Sequence, residues 1–97
     1  MNTVSINKLL LNQLHEFVDL NEIVYEGPLT TNTRLLGSDS IFDSMDLVSF
    51  IVECEQVINE NFDINIELTT DKAMSRRTSP FLNIESLSKF IIELTNE

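Results

Sequence analysis

Apolar residues return every three or four positions along three stretches of this chain, and little interrupts them. Ile6, Leu10, Leu14 and Phe17 fall on one side of a helix of 3.6 residues per turn. So do Leu47, Phe50, Ile51, Cys54 and Ile58, and again Ile84, Leu87, Ile91 and Leu94. Two glycines and two prolines in 97 residues are too few to punctuate a sheet of many turns. The spacing predicts a first helix from about Val4 to Leu20, with Leu9 and Val18 flanking its stripe. A second starts at Asp43 or Ser44 and runs to about Asn61. A last one, capped by Asn83, continues through about Leu94. A short helix is expected over Thr69 to Arg76, capped by Thr69 or Thr70, with Ala73 and Met74 facing inward. Ser79-Pro80 then ends that direction, or opens the last helix a turn early. The fold class expected is all-α: one domain over residues 1–97, a four-helix bundle of three longer helices and one short.

Two segments lack the helical period. From Asn21 to Asp43 the chain turns at Gly27-Pro28 and becomes rich in Thr, Asn and Ser. A connection this long is expected in a compact domain only if it is functional or pinned. Leu29, Leu35, Leu36, Ile41 and Phe42 are available as anchors, so an ordered loop with at most one short helical turn is expected. From Phe62 to Leu68 apolar and polar residues alternate as in a strand. No second strand candidate exists, so the segment is expected to lie extended across the helices on Ile64, Ile66 and Leu68.

Sixteen acidic residues against six basic ones give a formal net charge of −10. That surface repels nucleic acid and anionic membranes and favours partners with basic patches, at rates that fall with salt. The apolar residues are too regular for a disordered chain. The single Cys54 cannot form an internal disulfide, which favours a reducing compartment, and its place in the second stripe reads as a small buried hydrophobe. No basic-then-apolar leader opens the sequence and no apolar run nears the ~20 residues of a membrane span. The cytoplasm is the location expected, as a monomer. His15 lies off the first stripe without a second ligand-type residue at metal spacing, which reads as a surface histidine.

The segment Ile41-Phe42-Asp43-Ser44-Met45-Asp46-Leu47-Val48 places a serine where a long polar loop meets a helix N-terminus. Ser or Asp there commonly caps the free amides of the first turn. The same position also presents a hydroxyl on a rigid support, close to the positive end of the helix dipole, where an attached anion is favoured. Met45, Val48 and Val52 lie about 100° or more around the helix from the Leu47–Ile51–Ile58 face. Asp46, Glu53 and Glu60 run along a neighbouring side. An apolar strip edged by acids beside a modifiable hydroxyl suits docking, unless the loop after Leu20 covers it.

Phe42-Asp43-Ser44-Met45-Asp46-Leu47-Val48 resembles the Asp-Ser-Leu attachment motif of the acyl carrier protein family, with Met45 where Leu is usual. The resemblance spans almost the whole chain. A first helix, a long loop with Thr33-Arg34-Leu35-Leu36, the Asp-Ser helix, a short third helix and an Asn83-capped last helix follow that family's order. Lys72-Ala73-Met74-Ser75 and Ser79-Pro80-Phe81 are similar to discrete carriers of specialised bacterial pathways.

The resemblance implies that Ser44 accepts 4′-phosphopantetheine from coenzyme A through a phosphopantetheinyl transferase, with Asp43 beside it. Cargo is then a thioester on the arm, not on Cys54. Met45, Asp46, Val48, Val52 and Glu55 are implied to face acyl-loading and acyl-transferring enzymes that carry basic docking patches. Ser49 and Gln56 stand where carriers of general fatty acid synthesis commonly have Glu, which argues against service to that synthase. Leu47, Phe50, Ile51, Ile64, Ile66 and Ile91 either line a cleft for an acyl chain or fill a core. Two other functions fit the sequence: a peptidyl or aminoacyl carrier loaded by an adenylating enzyme, and a non-catalytic helical adaptor in which Ser44 only caps. An enzyme is disfavoured. His15 is the only histidine to act as base, no glycine-rich phosphate loop is present, and Asp39, Asp43 and Asp46 lack calcium-loop spacing.

Overall fold

The computed structural model describes residues 2–25, 27–37, 40–68 and 80–96, and for Ser44 the backbone alone. Among the described residues its elements are three helices: α1 (Thr3–Leu20), α2 (Ser44–Phe62) and α3 (Ile84–Thr95). There is no strand among the described residues. The short helix expected over Thr69 to Arg76 lies outside the described residues, as do Asp39 and Ser79.

Each helix begins on a side-chain cap. Asn2 accepts from the Ser5 amide at 2.9 Å, Asp43 from the Asp46 amide at 2.8 Å, and Asn83 from the Ser86 amide at 2.8 Å. Ser86 returns the bond by accepting from the Asn83 amide, which closes a reciprocal box at the start of α3. These caps satisfy amides that the helical ladder leaves free. The end of α2 is equally specific. Asp63 takes φ 52°, a left-handed turn that Asp tolerates better than most residues, and turns the chain out of the helix.

The three predicted stripes form one apolar cluster. Ile6, Leu10, Leu14, Phe17 and Val18 of α1, Leu47, Phe50, Ile51, Cys54 and Ile58 of α2, and Ile84, Leu87 and Ile91 of α3 are all buried. α1 packs against both other helices. Phe17, Phe42 and Phe50 form a ring trio with centroids 5.3 to 5.6 Å apart, which ties the loop end to α1 and α2. Phe90, Phe81 and Ser88 are also buried, and no expected stripe included them. Ser88 is satisfied across the core by donating to Asn7 Oδ1 of α1.

The long first loop is ordered without a regular helix among its described residues. Leu29, Leu35 and Phe42 are buried and Ile41 packs on the core, but Leu36 stays 36% exposed and does not anchor. The main chain does the remaining pinning. Leu35 N–H donates to Leu82 O at 2.8 Å, and Thr31 O accepts from Glu85 N–H at 3.0 Å, fastening the loop to the start of α3.

Residues 63–68 cross the outside of α2 as a strap. Ile64 and Ile66 are half-buried and Leu68 fully buried, while Asp63, Asn65 and Glu67 are exposed, as the alternation predicts.

Candidate functional site

Ser44 is the first residue of α2, and the residue before it does the capping. Of the two residues expected at the helix start, Asp43 is the cap: its carboxylate, on extended backbone, accepts from the Asp46 amide. The helical ladder starts one residue later, with Leu47 N–H on Asp43 O at 3.0 Å. Asp43 therefore supplies both the first side-chain and the first main-chain acceptor of the helix. The next acidic group, Asp46, lies in the first turn, where a negative charge suits the helix dipole.

The apolar strip beside Ser44 is open. Met45 is 80% exposed, Val48 58% and Val52 39%. No described part of the loop after Leu20 covers them. Scattered exposed apolar residues need no explanation, but these three follow one another along a single face and start next to Ser44. Asp46 and Glu53 are half-buried and Glu60 is exposed on the adjoining side. One Glu53 carboxylate oxygen is buried without a hydrogen-bond partner among the described residues.

Glu55 is placed differently from the other residues expected to meet partners. Its Oε1 accepts from Leu68 N–H at 2.7 Å, so it holds the strap. One turn further on, Asn59 does the same with more bonds. Its side-chain amide donates to Ile66 O at 3.1 Å and accepts from Ile66 N–H at 2.9 Å, while its main-chain carbonyl accepts from Ile64 N–H at 3.2 Å. The open apolar strip thus ends at Val52, and the same flank of α2 beyond it is the strap's mooring. Asn59 was not a candidate in the sequence. Its only signal there is a polar residue on a helix flank next to an alternating segment.

Cys54 lies in the core with its thiol pushed well above the ordinary range, first by burial and then by the neighbouring Glu53. It is a packing residue, as the second stripe suggested. His15 is exposed on α1. No group of three or more metal-ligating side chains occurs among the described residues, and no described helix is long and apolar enough to cross a membrane. A shallow groove of about 290 Å³ lies at the far end of α2, between Ser5, Lys8, Leu9 and Asn12 of α1 and Asn61 and Phe62. It is remote along the sequence of α2 from Ser44.

Comparison of the chain with protein-family models, curated proteins and solved structures gives no match. The resemblance to acyl carriers rests on the residues quoted for it.

Proposed function

We propose that this protein is a carrier that holds acyl intermediates on a 4′-phosphopantetheine arm attached to Ser44 and delivers them to partner enzymes. The observation that carries the reading is the division of roles at the start of α2. Asp43 caps the helix, which leaves the adjacent Ser44 without that duty, and the exposed strip of Met45, Val48 and Val52 begins at the next residue.

The residues present fit a phosphodiester at this place. Met45 N–H has no acceptor among the described residues, and the helix N-terminus favours an anion by roughly 0.3–1 kcal/mol at an exposed site. The Asp43 carboxylate is engaged with the Asp46 amide, so it is held on the helix side. In the modification a transferase removes the Ser44 proton, the Ser44 oxygen bonds to the pantetheine-bearing phosphorus of coenzyme A, and adenosine 3′,5′-bisphosphate leaves. The attached arm supplies a thiol that carries cargo as a thioester. The chain's own part is to present Ser44 rigidly and to offer a strip on which a basic-rimmed enzyme can dock. The tether raises the local concentration of cargo at that enzyme. In this reading the fourth, short helix of the bundle falls within Thr69–Arg76, the protein works in the cytoplasm as a monomer, and the cargo is a lipid, polyketide or related acyl group.

The test is incubation of the full chain with coenzyme A and a phosphopantetheinyl transferase of broad specificity, read by intact mass. The expected result is a gain of one phosphopantetheine, abolished in Ser44→Ala and retained in Asn61→Ala, at the far end of α2 from the strip. Failure of the folded wild-type chain to gain mass overturns the carrier reading in favour of an adaptor that uses the same strip without modification. If mass is gained, loading by an adenylating enzyme with an amino acid instead of an acyl group would mark the peptidyl-carrier alternative.

A further inference from the structure

The strap over residues 63–68 is hydrogen-bonded along one side only. In an extended chain, the N–H and C=O of alternate residues point to opposite edges. Here the even-numbered residues face α2: Ile66 gives both its groups to Asn59, Ile64 N–H goes to Asn59 O, and Leu68 N–H goes to Glu55. The odd-numbered residues are left over. Asn65 and Glu67 are exposed, and no N–H or C=O of either has a hydrogen-bond partner among the described residues. The inner side is fixed by the buried side chains of Ile66 and Leu68, so the register cannot slip without exposing them. What remains, among the described residues, is an unpaired edge at Asn65 and Glu67, held against α2 by side chains that stand in for a neighbouring strand.

Such an edge is a template for another chain. The geometry points to an extended segment of a partner polypeptide, carrying Lys or Arg, that adds to the Asn65–Glu67 edge as a second strand. Charge selects that occupant. Glu67 on the strap and Asp63 at the end of α2 just before it are both exposed, and the whole chain carries a net charge of −10. A second copy of this chain would bring the same two carboxylates to its own edge and be repelled, whereas a basic strand places opposite charges across from them. The Asn59 and Glu55 clamp satisfies the inner main-chain groups that burial of Ile66 and Leu68 takes from water, and so fixes which edge is left to solvent. This surface does not depend on any modification of Ser44 and stands whether or not the carrier reading does.

The experiment uses the full-length chain labelled with 15N and an alternating Lys/Val hexapeptide with blocked ends. The expected result is saturable shifts centred on the amides of Asn65 and Glu67, with slowed hydrogen exchange at both. The same peptide N-methylated at alternate residues keeps its charge but loses its donors on one edge, and should bind about tenfold more weakly. Asn65→Pro removes an outward N–H and touches no bond to α2, so it should weaken binding by a similar factor. If that variant loses its helical circular dichroism, the methylated peptide decides alone. Shifts spread over Asp46, Glu53 and Glu60 instead, or equal binding of the two peptides, would overturn the proposal by reducing it to charge attraction. Dimerisation of the free protein through the 63–68 amides would overturn it in favour of self-pairing.

Discussion

Replacing Asn59 by Ala tests the clamp most directly. The side chain makes two hydrogen bonds to Ile66, at 3.1 and 2.9 Å, in a half-buried setting. Each is worth about 1 kcal/mol net, so their joint loss costs about 2 kcal/mol. Ala is the better helix former by about half a kcal/mol, which offsets part of that. The main-chain bond from Ile64 N–H to Asn59 O survives the substitution. The expected net loss is therefore about 1.5 kcal/mol, a large share of the stability of a small domain. Asn61→Ala is the control. Its side chain also donates, to Val57 O at 2.8 Å, but on an exposed part of the helix within one turn, so the cost should stay under about 0.5 kcal/mol. Asn59→Asp separates the two bonds, because a carboxylate oxygen can still accept from Ile66 N–H but nothing donates to Ile66 O. Its other oxygen faces Ile66 O near the C-terminal end of α2, so at neutral pH it should be no more stable than Asn59→Ala. Urea unfolding followed by circular dichroism gives the three values, and hydrogen exchange at Ile66 N–H shows whether the strap opens before the helices. Equal losses in Asn59→Ala and Asn61→Ala, or unchanged protection at Ile66, would refute the claim that the side chain moors the strap.

Three further outcomes follow from the same structure. Phe50→Ala removes a fully buried ring that contacts Phe17 and Phe42 and should cost about 3–5 kcal/mol, seen as early urea unfolding or loss of cooperative melting. Asp43→Ala removes the α2 cap and should cost about 1 kcal/mol by thermal melting, whereas Asp43→Asn should restore most of it, because Asn also caps. Cys54 should resist alkylation at pH 8 until denaturant is added, since its folded thiol is held neutral by burial. Its raised folded value also has a sign. Above the ordinary thiol range near 9 the unfolded thiol loses its proton while the folded one keeps it, so stability should fall as pH rises past that point. Cys54→Ala should lose stability overall and flatten that part of the pH curve relative to wild type; an unchanged curve would contradict the assignment.

The helical core was legible because periodicity is a local property. Leu10 and Leu14, or Phe50, Ile51 and Cys54, declare a face through spacing alone, and the Asn83 cap sits one residue ahead of such a run. What spacing could not show depends on distant partners. Ser88 is a polar residue buried one turn after Ile84, which is possible because Asn7, 81 residues away, accepts its hydroxyl. Leu36 was expected to anchor the loop and stays exposed, since the loop is pinned by main-chain bonds such as Leu35 N–H to Leu82 O rather than by each leucine in it. The resemblance implied Glu55 among the partner-facing residues, and nothing in its spacing showed that its carboxylate accepts from Leu68 N–H, 13 residues on. The same limit separates the two halves of the candidate site. That Ser44 begins a helix follows from Asp43-Ser44 and the apolar run behind it. That Asp43 rather than Ser44 caps the helix, and that the flank of α2 beyond Val52 moors the strap, are consequences of three-dimensional bonding. This boundary gives α2 two distinct surfaces, an open apolar one beside Ser44 and a strapped one toward Phe62. A substitution at Val48 should disturb docking without changing protection at Ile66, and Asn59→Ala should do the reverse.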